Sequence, residues 1–163
     1  MASDEHPTSA DRRETPLERA DRNFQELIAE LRVLQTGVQI LFGFLLILAV
    51  QPRFAEASAF SRVTYIVTLI LCCAATALLM APVAYHRMLF AKGLKPEVVR
   101  ASDRFARCGM TTLLLAIASA VLLVIDLVLG LTLAIVLASC VGVLFALLWY
   151  LLPLRRLRQY GRM

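Results

Sequence analysis

The chain has 163 residues, 60% of them hydrophobic and 18% charged, with a formal net charge of +5. Its mean hydropathy is +0.73, whereas a soluble globular domain is only about half apolar. These values exclude a soluble domain and imply an integral membrane protein, and with no separately folding basic segment they exclude nucleic acid as the partner of the positive charge.

Residues 1–14 are polar and poor in aromatics, and are expected to be disordered. No cleavable signal peptide is expected, because the first apolar run starts only at Val33; that span should act as its own insertion signal. Thr15-Pro16-Leu17-Glu18 spells a capping box with proline at the first helical position. No stop signal follows before Gln51-Pro52, so an amphipathic helix over 16–32 should run straight into a first span over 33–50. Leu17, Ala20, Phe24, Leu27, Leu31, Leu34, Val38, Leu41 and Leu45 alternate steps of three and four, a heptad seam that crosses the membrane border in phase. Such a seam asks for a partner, either another segment of this chain or a second copy, and a homo-oligomer through Leu17–Leu45 is expected.

Opposite the leucine stripe, at about 100° per residue, Arg32, Gln35, Thr36, Gln39 and Gly43 share a polar face. Gln39 lies about 9 Å inside the border set by Val33.

The second span, over 63–85, carries Thr64, Thr68, Cys72 and Thr76 at steps of four, which reads as a packing seam of small residues. Pro82 should free the carbonyl of Leu78 and kink the helix. The segment 86–107 is a loop and helix beginning at Lys95-Pro96-Glu97, with Asp103 and Arg107 at ion-pair spacing. The third span, over 108–129, ends at Gly130, the natural hairpin turn, and the fourth covers 131–154. Ser139, Gly142 and Ala146 give that last helix a small face, Trp149 and Tyr150 fit an interfacial aromatic belt, and Pro153 should close it before a tail at 160–163. The predicted fold class is therefore all-α: an integral membrane four-helix bundle of two hairpins, with cytoplasmic helical extensions before spans one and three.

Five arginines precede the first span, six basic residues lie between Arg87 and Arg107, and four arginines follow Leu154, whereas only Arg53 and Arg62 fall on the other side. The positive-inside rule then makes both termini cytoplasmic in a multi-pass protein, expected in a bacterial plasma membrane. Arg87, Arg104, Arg107, Arg155 and Arg156 should meet anionic lipid headgroups of the inner leaflet.

Cys72, Cys73, Cys108 and Cys140 all fall inside spans and show no metal spacing, so they read as small buried hydrophobes, with no metal and no cofactor implied. HExxH, Gly-rich phosphate loops and nucleophile–base pairs are missing, and no enzyme is expected.

The residues that could carry chemistry are Gln35, Thr36, Gln39, Tyr85, His86, Thr112 and Asp126. Two readings of the glutamines stand side by side. They either hydrogen-bond across a helix or subunit interface, or they line a water-filled vestibule open to the cytoplasm. His86 is the one candidate with an unperturbed pKa near neutrality, either a pH sensor or an ordinary exposed imidazole. Asp126, the sole carboxylate within the apolar runs, should sit at the outer interface, where it either caps the hairpin or marks a pore mouth. The matching functions are an oligomeric ion-conducting or transport protein and, as the alternative, a non-catalytic accessory or scaffold subunit of a larger membrane complex.

ELRVLQTGVQILFGFLL at Glu30 and LLMAPVAYHRMLF at Leu78 resemble a family of small uncharacterised actinobacterial four-span membrane proteins, some of them automatically labelled sodium:proton antiporters. The similarity runs from about Thr15 to Gly130 and singles out Gln35, Thr36, Gly37, Gln39, Pro82, Tyr85, His86 and Arg87. The antiporter label implies a carboxylate near the bilayer midplane, and this sequence offers none there.

Overall fold

The computed structural model describes residues 15–89 and 95–160. The expected disorder of 1–14 and the tail beyond residue 160 lie outside them. Helix α1 spans Pro16–Ala49 without a break. Its start is the capping box: the Thr15 hydroxyl accepts the Glu18 backbone N–H at 3.3 Å, and the Glu18 carboxylate accepts the Thr15 backbone N–H at 2.8 Å. With no proline or glycine from Leu17 to Thr36, nothing interrupts the i→i−4 ladder as the helix passes from its charged part into its apolar part.

A short turn of helix, α2 (Pro52–Ala55), leads to α3 (Ala59–Leu89). The turn is tied down by Arg62, which donates to the carbonyls of Ala57 at 3.1 Å and Ala55 at 2.9 Å. Helix α4 spans Lys95–Leu129 and α5 spans Leu131–Ala146. Gly130 joins them at φ 89°, a backbone conformation that favours glycine.

The helix of the fourth span does not stop at Pro153. A π-helical turn over Leu147–Leu151 carries α5 into α6 (Leu152–Tyr160). Proline at 153 has no N–H for the Trp149 carbonyl and its ring crowds that oxygen, so the turn before it widens and the helix continues.

Four helical stretches, Asp21–Ala49, Ala59–Met88, Val99–Leu129 and Leu131–Arg156, are long and apolar enough to cross a membrane. They pack as an all-α bundle. The α3–α4 pair is its most extensive contact, α1 lies chiefly against α3 and also touches α4, and α5 rests on α4.

The core is where the heptad seam ends up. Leu31, Val38 and Leu45 of α1 are buried with Cys72, Ala75 and Leu79 of α3 and with Ala106, Leu113, Ala116 and Leu123 of α4. Leu27, Leu34 and Leu41 close its edge. From Leu27 inward, the seam's partner is therefore this chain's own α3 and α4 rather than a second copy; the side chains of Leu17 and Ala20 lie outside those described.

Exposed Val33, Phe44, Ile47, Ile66, Ile70, Met80, Leu115, Val124, Ile135 and Val136 form the bundle's outer surface. Such a belt would drive aggregation in water, and it is the surface a lipid bilayer solvates. Of the cysteines expected to be buried, only Cys72 is; Cys73, Cys108 and Cys140 are exposed, on faces that no neighbouring helix covers.

Candidate functional site

The start of α1 and the end of α6 lie at one end of the bundle, because α1 and α4 run away from it and α3 and α5 return to it. The polar candidates divide between this end and the opposite one.

Gln35 turns toward α3 and donates its side-chain amide to the Leu79 carbonyl at 3.0 Å. The acceptor is the neighbour of the Leu78 carbonyl that Pro82 leaves without a helical donor. Leu79 also packs closely against α4, since a Cβ built on Gly109 would lie 2.7 Å from its Cδ2 and 2.9 Å from its Cγ. Gly109 is therefore the residue that lets the two helices approach, and Leu79 is held on one side by a packed side chain and on the other by a hydrogen bond.

The rest of the polar face behaves differently. Thr36 is exposed and donates to the Arg32 carbonyl in its own helix at 3.0 Å. Gln39, one turn beyond Gln35, is exposed on the outside of α1, and its amide has no partner among the described residues. Thr112 donates to the Cys108 carbonyl at 2.9 Å and joins no network.

Tyr85 is exposed with its ring tilted against Phe105, centroids 5.3 Å apart. His86 is half-buried and stacks on Phe24 of α1 at 4.3 Å and 15°. Around that stack Asp21, Gln25, Ile28, Ala29 and Arg32 complete an open groove of about 540 Å³. Six residues beyond Leu79 the apolar run of α3 ends at Tyr85, about 9 Å toward the end of the bundle where α1 starts. The Gln35 bond sets that level against α1 near Ala29, so the groove lies where the apolar runs of α1 and α3 give way to polar residues, with Arg32 on its apolar side.

Arg87, Arg104, Arg155 and Arg156 are exposed at the same end, and Arg107 pairs with Asp103 one turn earlier. Thr111 shares a hydrogen bond of 2.7 Å with the Tyr150 hydroxyl, which ties α4 to the π-helical turn.

Asp126 is at the other end. It caps nothing in the hairpin: α5 begins at Gly130 without a side-chain cap, and the Asp126 carboxylate accepts the Ser61 hydroxyl across the bundle at 2.7 Å. Ser61 in turn contacts the Ser58 hydroxyl at 2.8 Å, and Ser58 accepts the Ser61 backbone N–H as the cap of α3. A pocket of about 260 Å³ lined by Arg53, Glu56, Ala57, Ser58, Ser61, Asp126 and Leu127 surrounds the trio. The expected set thus forms no single vestibule. Gln35 serves helix packing, His86 and Arg32 share a groove, and Asp126 joins α3 to α4 at the far end.

Two contacts between helices escaped the sequence. Thr68 was legible as a seam residue, but not its hydrogen bond of 2.6 Å to Ser119 of α4, because a lone serine in an apolar run carries no signal of its partner. Ser58 and Ser61, spaced as a helix start, could have been read as a cap; their link to Asp126 could not.

Among the described residues no three His, Cys, Asp or Glu side chains cluster as a metal site. The chain matches the model of a family described as "Family of unknown function (DUF6328)" over residues 13–153. No curated protein and no solved structure matches it.

Proposed function

We propose, for this chain that belongs to the DUF6328 family of unknown function, a non-catalytic role as an accessory or scaffold subunit in a membrane assembly. One observation carries the reading: the bundle is closed along its axis. Val38, Cys72, Ala75, Leu79, Ala116 and Leu123 have no exposed surface. The hydroxyl of Thr68 and the amide of Gln35 are engaged by protein instead of facing an aqueous path. What the molecule presents outward is contact surface: the Asp21–Arg32–His86 groove at one end, and an apolar groove of about 620 Å³ between α3, α4 and α5 along Val67, Leu71, Leu115, Ala118, Ser139 and Gly142.

In this reading the chain sits in the bacterial plasma membrane with both termini cytoplasmic, supported by the distribution of Lys and Arg, and Arg87, Arg104, Arg155 and Arg156 rest on anionic headgroups. The test is reconstitution of the purified protein into liposomes. No ion or proton flux above that of protein-free liposomes is expected at any pH.

The exposed Gln39 favours one second reading, an ion-conducting or transport protein whose vestibule forms between copies instead of within one chain. Flux that falls with Gln39→Leu would decide for it. The sodium:proton antiporter label draws no support from Asp126, which sits at the end of the bundle in a hydrogen bond with Ser61.

A further inference from the structure

Helix α1 has a second seam, and no described residue of the chain packs against it. Arg32, Thr36, Gln39, Gly43, Leu46 and Val50 follow one another at steps of four and three, about 120° around the helix from the buried Leu31, Val38 and Leu45. All are exposed except Gly43, which is half-exposed.

Two features of this face have no explanation inside one molecule. An amide at Gln39's depth faces hydrocarbon, which offers it neither donor nor acceptor. Gly43 weakens a helix by about 1 kcal/mol relative to alanine, and a Cβ built there meets nothing within 4 Å, so no described helix comes close enough to require it; Gly37 is equally open, and Gly43 differs in lying one turn from the Gln39 amide on the same face. Gly109 shows the contrast, since its missing Cβ is what admits Leu79.

We propose that two copies of this chain associate through this face of α1, with Gly43 at the crossing point and the Gln39 amides hydrogen-bonded to each other. A carboxamide carries both donors and an acceptor, so two of them related by a two-fold axis satisfy each other, which no lipid and no apolar partner helix does. Small residues at a membrane helix crossing let backbones approach, and polar side chains beside them fix the register. A right-handed crossing of about 40° makes the helices diverge away from Gly43, which keeps the two Arg32 guanidinium groups apart. The inference rests on the membrane placement of α1 and not on the absence of transport.

The full chain, labelled with donor or acceptor dyes and reconstituted into liposomes over a range of protein-to-lipid ratios, gives the dimer fraction by energy transfer. Native mass spectrometry from mild detergent gives its stoichiometry. The expected result is a dimer. Gln39→Leu should weaken it about tenfold, and Gly43→Leu should abolish it. Gly37→Leu, about 120° away on the helix and equally free of neighbours, should leave it intact. Circular dichroism of each monomer should be unchanged and its thermal melting should not fall, since neither Gln39 nor Gly43 packs against the other described residues and Gly43→Leu gains up to about 1 kcal/mol of helix propensity.

A monomer at every ratio, an oligomer indifferent to Gln39→Leu and Gly43→Leu, or a foreign subunit seated on this face would each overturn the proposal. Rapid labelling of Gln39→Cys by a membrane-impermeant thiol reagent would also overturn it, because the face would then meet water.

Discussion

The side-chain amide of Gln35 donates to the backbone carbonyl of Leu79 at 3.0 Å, so a polar residue of α1 reads the main chain of α3. The contact is independent of the Leu79 side chain, which is occupied by Gly109. Gln35→Leu should therefore lower stability by about 0.6–2 kcal/mol, the range for a hydrogen bond between membrane helices. Unfolding in micelles with graded denaturing detergent measures it. The matching Gln39→Leu should leave monomer stability unchanged, and equal effects at the two positions would contradict the different fates assigned to them.

Gly109→Ala forces a methyl group toward Leu79, which is fully buried and has little room to move. A cost of about 1–3 kcal/mol is expected from overpacking. Gly37→Ala, where nothing lies within 4 Å, should instead be neutral or stabilise by up to about 1 kcal/mol through helix propensity. Thermal melting of the two single variants separates these outcomes by sign.

At the hairpin end, Ser61 and Asp126 bridge α3 and α4. A hydrogen bond to a charged acceptor contributes about 1.5–3 kcal/mol. Ser61→Ala and Asp126→Asn should each cost up to that amount, and the double variant should cost clearly less than their sum. Additive losses would mean that the two residues act separately.

Two buried hydroxyls predict opposite results. Thr68 is bonded to both Ser119 and the Thr64 carbonyl, so Thr68→Val should destabilise by about 1 kcal/mol. The Ser102 hydroxyl is buried with no partner among the described residues, so Ser102→Ala should be neutral or stabilising. The same melting assay reads both.

The start of α1 is expected to respond to pH. The Thr15 backbone N–H, and then the Thr15 hydroxyl, stabilise the ionised Glu18 carboxylate and hold its pKa below the ordinary value. A carboxyl depressed in the folded state contributes stability above its unfolded pKa and loses it as the pH falls through the folded one. Protection of the first-turn amides, measured against their intrinsic exchange rates, should therefore fall only in acid, below the usual carboxylate range, and Glu18→Gln should remove that dependence. A transition near neutrality would point to another group.

The capping box was legible before the fold because its partners are three residues apart, and a local signal needs no tertiary context. The turn at Gly130 was legible for the same reason. Pro153 shows the limit of such signals: proline disfavours a helix locally, yet one wide turn absorbs it and the helix carries on to Tyr160.

The heptad seam was visible as a pattern, but not its owner. Period alone says that Leu31, Val38 and Leu45 share a face, and a face of leucines fits a neighbouring copy as well as a neighbouring helix. Asp126 poses the same problem, since its depth follows from counting residues while its partner lies 65 positions away.

By itself, the sequence determined that this is an all-α membrane protein with four apolar runs, a charged extension on α1 and a hairpin at Gly130. Those properties are set by transfer of each side chain between water and hydrocarbon and by short-range backbone geometry. Only the tertiary structure decided that Gln35 is taken into the bundle while Gln39, four residues on, is left outside it. The physical reason is that lipid is as apolar as leucine, so hydrophobicity cannot say which face of a membrane helix turns inward. Close packing at Gly109 and hydrogen bonds such as Gln35 to Leu79 make that choice, and both depend on residues distant in the chain.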